Sequence, residues 1–301
     1  MNIKNRIKTL GLCINSAPIL GLIISFIFSV TVSSLNIYDK VTTDSLYFCV
    51  FTFISELCAV FLPVLLCCKF YNHKTHYIDN YSYTQKLSVP SSIRWLFFGI
   101  AGDVFLNLLN GLFVLLTKQN AETNQPQPSN IKEAILLFFA VGIIAPIFEE
   151  LSFRKLLFGV LRKEGNAFGI IMSGFLFGLW HGNFSQMFFA CLVGMLFAYI
   201  LAKTGNIFLT MAIHIINNSF AVLSPIYDNN LISNGVFRII CLIFAIILIV
   251  GFVSFIVLIK KKEISFNAIK NTIKSQNKKV YLNFIPYMIF PFILFITLAF
   301  V

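Results

Sequence analysis

Seven acidic, basic or imidazole side chains are placed at membrane depth within apolar runs of this sequence that are long enough to cross a lipid bilayer. A charged group at the centre of a bilayer costs at least about 2.5 to 3.5 kcal/mol, so side chains of this kind mark functional sites. Carboxylates and imidazoles together are the groups of acid–base catalysis, in which a side chain takes a proton from water or returns one. Five of the seven fall between residues 149 and 214. The seven are Glu56, Asp103, Glu149, Glu150, Arg154, His181 and His214.

The densest group is the motif Glu149-Glu150-x-x-x-Arg154 in the fourth apolar run. Glu150 and Arg154 are four residues apart, about one helical turn, so their charges can neutralise each other. Glu149 points about 100° away around the same helix, which leaves its carboxylate available as a general base. The alternative interpretation is a helix end at the cytoplasmic surface, where long charged side chains reach water.

Two further motifs, Phe177-x-x-x-His181 and His214-x-x-x-Asn218, follow in the fifth and seventh apolar runs. In each motif the outer residues share a helix face because they are four apart. Counted from the intervening turns at about 1.5 Å per residue, these groups and Glu149 lie roughly 12 to 22 Å from one surface of the membrane. A single buried histidine is typically held by hydrogen bonds within a helix bundle. Matched depth on three helices instead predicts one buried chamber.

Other hydrolytic chemistries lack their residues in this sequence. No His-Glu-x-x-His motif is present for a zinc site on one helix. Ser173 does not stand in a Gly-x-Ser context, and Asp103 is the one aspartate inside an apolar run, so an aspartyl dyad lacks its second member. The residues that remain predict a water molecule activated by glutamate and histidine.

The elements that must position these residues are membrane-spanning helices. Hydrophobic side chains make up 58% of the 301 residues and charged ones 12%, with a mean hydropathy of +0.84, which excludes soluble globular and disordered proteins. We predict an all-α, polytopic integral membrane protein with about nine transmembrane helices, or eight as the alternative. The predicted runs are 12–35, 45–68, 95–117, 131–160, 166–182, 184–202, 205–226, 236–259 and 281–301.

The distribution of charge predicts the orientation. The net charge is +11, from 23 Lys and Arg against 12 Asp and Glu, and the basic residues gather in alternate connections, as cytoplasmic loops do. This pattern predicts a cytoplasmic N-terminus and accounts for the positive charge without nucleic acid. The connections concerned hold Lys4, Arg6 and Lys8; Lys69, Lys74, Lys86 and Arg94; Arg162 and Lys163; Lys203; and Lys260, Lys261, Lys262, Lys270, Lys274, Lys278 and Lys279.

The chain divides by motif content into three predicted parts. Residues 1–130 hold helices 1 to 3, residues 131–225 hold a catalytic core of helices 4 to 7, and residues 226–301 hold helices 8 and 9. The seven cysteines form no C-x-x-C pair, so we interpret them as small buried hydrophobic residues rather than as disulfide or zinc ligands.

The three motifs resemble, in order and spacing, those of the CAAX-protease and bacteriocin-processing family (CPBP, also called ABI) of intramembrane endopeptidases. The resemblance covers about 90 residues of the core and implies hydrolysis of a peptide bond inside the membrane. It implies that Glu149 activates the attacking water with help from His181, and that His214 and Asn218 stabilise the oxyanion. Glu150 and Arg154 are then a supporting ion pair.

The resemblance also bears on cofactors and partners. The family has been called a metalloprotease group, so zinc held by Glu149, His181 and His214 is an open alternative to the favoured metal-free mechanism. The expected partners are the lipid bilayer and a membrane-associated peptide or protein substrate, and the Lys-, Asn-, Ile- and Phe-rich composition is typical of a bacterial plasma-membrane protein. The residues do not distinguish a prenylated substrate from peptide maturation, bacteriocin immunity or signalling, and they leave the oligomeric state open.

Two other functions compete with proteolysis. A non-catalytic bacteriocin-immunity or scaffold protein would be expected to lose motif residues, and all of them are present. An ion-coupled transporter would give Glu56 and Asp103 a coupling ion to bind, but no internal repeat supports it. In a peptidase, we expect these two acids to form hydrogen bonds to neighbouring helices.

Overall fold

The computed structural model describes residues 3–35, 40, 44–75, 87–117, 127–182, 184–264 and 278–299. Within these ranges the chain forms long helices and no strand, as predicted. The helices are α1 (Ile3–Ser34), α2 (45–75), α3 (Val89–Thr117), α4 (Ile131–Glu164), α5 (Asn166–Trp180), α6 (Phe184–Thr204), α7 (Ile207–Asp228), α8 (Asn234–Lys260) and α9 (Lys278–Ala299).

Eight of the helices in the described ranges are long and apolar enough to cross a membrane. The exception is α5, whose 15 residues span about 22 Å against a hydrocarbon core of about 30 Å. The protein is therefore a multi-pass integral membrane protein, and each predicted apolar run corresponds to one helix. Helices α1 and α3 begin at Ile3 and Val89, earlier than predicted, because helical turns extend beyond the apolar residues.

The orientation in the membrane stays a prediction. Several residues on which it depends, among them Lys86, Lys118, Glu122, Lys270 and Lys274, lie outside the described residues.

A tight turn joins α4 to α5. Gly165 adopts a φ of 135°, a conformation that glycine tolerates and other residues rarely do, and its N–H donates to the Arg162 carbonyl at 2.9 Å. Because Glu149 comes 15 residues before Glu164 and His181 comes 15 residues after Asn166, the two antiparallel helices bring these side chains to the same depth.

Glycines set the contact between α5 and α6. A Cβ atom on Gly174 would lie 2.8 Å from the Cys191 carbonyl oxygen, and one on Gly178 would lie 2.7 Å from the Met187 carbonyl oxygen. Two small residues four apart allow helix backbones in a membrane to approach closely. The C-terminal end of α5, where His181 follows, is therefore held directly against α6.

Wide π-helical turns interrupt α2 and α4. They cover Glu56–Phe61 in α2, and Phe138–Ile144 and Glu150–Phe158 in α4. Turns of this kind occur mostly as short insertions at functional sites. Two of the three begin at glutamates inside the apolar runs, Glu56 and Glu150.

Two polar contacts tie the outer helices to the bundle. Arg6 of α1 donates twice to Glu164, from Nε to Oε1 at 3.0 Å and from Nη2 to Oε2 at 3.1 Å. The Tyr71 hydroxyl of α2 donates to the same Oε1 at 3.2 Å. Beyond the end of α8, Glu263 accepts hydrogen bonds from α3.

Candidate active site

The buried ion pair of α4 forms the base of the site. Glu150 is fully buried and Arg154 is 1% exposed, and Glu150 Oε1 lies 3.2 Å from Arg154 Nε. The guanidinium of Arg154 lies over the ring of Phe177 at 4.0 Å and near that of Phe197 at 5.3 Å. Aromatic faces attract a cation and replace part of the water that it lost on burial.

His214 of α7 connects the two glutamates. Its Nδ1 lies 3.1 Å from Glu150 Oε1, and its Nε2 lies 3.4 Å from Glu149 Oε2. A carboxylate only accepts hydrogen bonds, so Nδ1 carries a hydrogen and donates it to Glu150, and Nε2 is the ring nitrogen that faces Glu149. Sequence reasoning missed this bridge, because the family resemblance assigned His214 to the oxyanion together with Asn218.

His181 caps the C-terminal end of α5. Its Nδ1 donates to the Phe177 carbonyl oxygen at 2.8 Å, and the two rings meet edge to face with centroids 4.7 Å apart. The hydrogen bond fixes the ring and leaves Nε2 as the free nitrogen. His181 lines the same cavity as Glu149.

Asn218 lies one turn beyond His214 on α7. Its Nδ2 donates to the Val141 carbonyl oxygen at 3.1 Å, and Val141 belongs to the first wide turn of α4. No hydrogen bond joins Asn218 to Glu149 or His181 in the part of the chain that the structure describes. The structure thus ties Asn218 to the backbone of α4 and leaves its second amide hydrogen available.

A cavity of about 400 Å³ opens at Glu149. It lies among α1, α2, α4, α5 and α9, and its polar end is formed by Ser55, Glu56, Glu149 and His181. The opposite end is apolar and reaches Leu10 and Tyr71. The protein therefore combines acid–base groups and a largely apolar wall in one cavity.

The two acids outside the motifs also lie near the site. Glu56 lines the cavity and interacts electrostatically with Glu149. Asp103 of α3 is fully buried and interacts with Glu150 and Arg154. The predicted hydrogen bonds to neighbouring helices are not found in the described ranges for either Asp103 oxygen or for Glu56 Oε2. The sequence signal was present, because both acids stand in apolar runs, but local spacing does not tell which helix they face.

The arrangement does not fit a metal centre. Among the described residues, no three His, Cys, Asp or Glu side chains lie close enough together to hold a metal ion. Glu149, His181 and His214, the set considered for zinc, instead engage one another and the backbone. No step of the proposed mechanism is therefore routed through a metal.

Comparison with known proteins points to the same part of the chain. Residues 131–220 match the family model of the Rce1-like type II CAAX prenyl endopeptidases. The chain is 30% identical over 144 residues to the "Putative membrane peptidase YdiL" of Bacillus subtilis (strain 168), covering 46% of this chain and 59% of that protein. It is 27% identical over 158 residues to the "UPF0177 protein YvdC" of Lactococcus lactis subsp. lactis (strain IL1403), covering 48% and 60%.

The chain thus spans about three fifths of the length of these curated relatives, and no solved structure matches it. Both relatives are bacterial, which agrees with a bacterial plasma membrane as its location. The matched segment contains all three motifs and all the residues that surround His214 in the site. Residues 131–220 are therefore similar to the Rce1-like type II CAAX prenyl endopeptidases and to a membrane peptidase, in agreement with the resemblance of the motifs.

Proposed function

We propose that this protein is an intramembrane endopeptidase that hydrolyses a peptide bond of a membrane-associated peptide or protein with a water molecule activated by Glu149. The observation that carries the proposal is the position of Glu149. Its carboxyl group lines the cavity together with His181, and His214 Nε2 lies 3.4 Å from it. The family match over residues 131–220 supports the reaction type.

The first half of the proposed reaction uses both histidines. Water binds between Glu149 and the free Nε2 of His181, which holds it by accepting a hydrogen bond. Glu149 takes a proton from this water while the water oxygen attacks the carbonyl carbon of the substrate. His214 Nε2, 3.4 Å from Glu149 Oε2, holds the Glu149 carboxyl group in position for this step.

Charge that develops on the carbonyl oxygen needs a fixed hydrogen-bond donor. Asn218 is the candidate, since its Nδ2 keeps one hydrogen after donating to the Val141 carbonyl oxygen. A rigid donor in a site from which bulk water is excluded is worth about 2.7 to 4 kcal/mol in the transition state. The attachment of Asn218 to the wide turn of α4 provides that rigidity.

The experiment that tests the proposal compares purified wild-type protein with Glu149→Gln in lipid nanodiscs, on a library of short membrane-anchored peptides. We expect Glu149→Gln to lower kcat by about a thousandfold, since a positioned general base contributes roughly 10²- to 10⁴-fold. Glu133→Gln is the matched control, because Glu133 is a partly exposed glutamate of the same helix and does not line the cavity. A chelator arm tests metal dependence, and we expect no loss of activity.

Each other outcome contradicts a different part of the proposal. Activity that survives Glu149→Gln contradicts the assigned base. Activity that the chelator removes and added zinc restores contradicts the metal-free mechanism. If wild-type protein cleaves no member of the library, the scaffold and transporter alternatives replace the peptidase.

A further inference from the structure

Glu56 is the acid of the cavity that the three family motifs leave without a role. It begins the wide turn Glu56–Phe61 of α2, outside the segment that matches the family. Its carboxyl group lines the cavity with Glu149 and His181, and the two carboxyl groups interact electrostatically. Glu56 therefore faces the place where a substrate must meet the activated water.

The position of Glu56 is set by packing on both of its sides. The ring of Phe148, next to Glu149, lies edge to face between Phe53 at 5.6 Å and Phe61 at 6.0 Å. These two phenylalanines flank Glu56 along α2, so they seat this part of the helix directly against α4. On the opposite side, α1 approaches so closely that a Cβ atom on Gly21 would lie 2.5 Å from the Ala59 carbonyl oxygen. Both contacts hold this part of α2 in place beside the cavity that Glu56 lines.

No cation compensates Glu56 in the described structure. No Lys or Arg lines the cavity, and the buried Oε2 atom of Glu56 has no hydrogen-bond partner among the described residues. The other titratable groups on the wall are Glu149 and His181 at the polar end, and Cys13, Cys67, Cys68 and Tyr71 farther away. Glu149, by contrast, is engaged by His214. The cavity thus holds two carboxyl groups in different surroundings, an arrangement that separates acid and base roles.

Peptide hydrolysis needs a proton at the leaving nitrogen, because an amide anion is too basic to depart. We propose, on the basis of the peptidase function above, that Glu56 is the general acid that donates this proton. The C–N bond then breaks as Glu56 becomes a carboxylate, and the products are a free amine and a carboxylic acid. Glu149 holds the proton taken from water, and one proton passes through cavity water from Glu149 to Glu56 to restore both groups.

The test uses the leaving group, which a merely structural role would not sense. Wild-type protein and Glu56→Gln are given a membrane-anchored peptide amide and a matched ester whose leaving group is a phenol. A phenolate departs without a proton, so we expect Glu56→Gln to lower kcat on the amide by about a hundredfold and to leave kcat on the ester within about threefold. Glu149→Gln should lower kcat on the amide and on the ester, since both reactions need the activated water. Glu133→Gln is again the control that leaves both unchanged.

Three results overturn the inference. Equal losses on amide and ester show that Glu56 only supports the structure. A higher KM on both substrates with unchanged kcat shows that Glu56 binds substrate without donating a proton. Wild-type protein that cleaves neither substrate overturns the peptidase function itself, which distinguishes that failure from the other two. Glu56→Asp keeps a carboxyl group and should retain more amide activity than Glu56→Gln, so it decides the matter if the glutamine variant unfolds.

Discussion

The guanidinium of Arg154 lies between an acid and two aromatic rings, and each neighbour offsets part of the cost of burying a charge. Glu150 supplies the opposite charge at 3.2 Å, and the faces of Phe177 and Phe197 replace part of the lost hydration. Asp103 of α3 is a further buried acidic residue that interacts with the Arg154 guanidinium. A buried pair of this kind contributes little net stability, but the loss of one partner leaves the other uncompensated.

We therefore expect Arg154→Met alone to destabilise the protein by about 3 to 5 kcal/mol. The double variant Glu150→Gln with Arg154→Met should be clearly more stable than the single one, because no lone charge stays buried. Unfolding in mixed micelles of dodecyl maltoside and sodium dodecyl sulfate measures both free energies. The pairing is contradicted if the loss of stability in the double variant equals the sum of the losses in Glu150→Gln alone and Arg154→Met alone.

At the scale of whole elements, the close contact between α5 and α6 depends on the absence of side chains. Gly174 and Gly178 of α5 face backbone carbonyl oxygens of α6 at distances that leave no room for a Cβ atom. His181 follows Gly178 by less than one turn, so the position of its ring depends on this contact. A substitution that only moves α5 away from α6 should therefore also lower kcat.

We expect Gly178→Ala to lower stability by about 1 to 3 kcal/mol through overpacking and to lower kcat through displacement of His181. Gly111→Ala is the matched control, because a Cβ atom at Gly111 of α3 would meet nothing within 4 Å. That control should be neutral or slightly stabilising, since alanine favours a helix more than glycine does. Thermal unfolding and peptide cleavage measure the two effects, and equal behaviour of both variants would contradict the role of the contact.

For α4, α5 and α7, the residues that lie on the same helix face could be predicted from spacing alone, because residues four apart lie on the same side of a helix. That is why the sequence predicts that Glu150 shares a helix face with Arg154, and Phe177 with His181. The bridge made by His214 could not be predicted, since it depends on the wide turn that begins at Glu150. Glu56 could not be assigned a partner either. The register between α2 and α4 depends on the packing of rings such as Phe148 between the two helices. The periodicity of the sequence does not predict this packing.

At the scale of the whole molecule, polar contacts beyond the apolar runs join helices that are distant in sequence. Glu263, after α8, accepts hydrogen bonds from Ser91 Oγ at 2.9 Å and Trp95 Nε1 at 3.0 Å of α3, and pairs with Arg94 Nη2 at 3.3 Å. Partial burial raises the pKa of Glu263, but these hydrogen bonds and the charge of Arg94 more than offset it, so its pKa lies below the ordinary value.

A lowered pKa in the folded state means that Glu263 stabilises the protein above the ordinary glutamate pKa of about 4.3. This contribution is lost as the pH falls through the lower pKa of the folded protein. We expect wild-type protein to have a higher unfolding temperature than Glu263→Gln at pH 7 and a smaller advantage at pH 3.5. The carboxylate is partly exposed, so solvent screening limits the effect to about 1 kcal/mol. An advantage that stays constant or grows on acidification would contradict this assignment.

Most of the residues that line the cavity lie outside residues 131–220, the segment that carries the motifs. Of the 27 residues that line it, 19 belong to α1, α2 and α9, and only eight belong to the family segment 131–220. Under the proposed function, the catalytic groups and most of the surface that contacts substrate therefore lie on different stretches of the chain. Related peptidases with the same catalytic segment and different outer helices should then cleave different peptides. A chimera that exchanges α1, α2 and α9 between two such proteins should exchange their substrates and leave the bond-breaking step as it was.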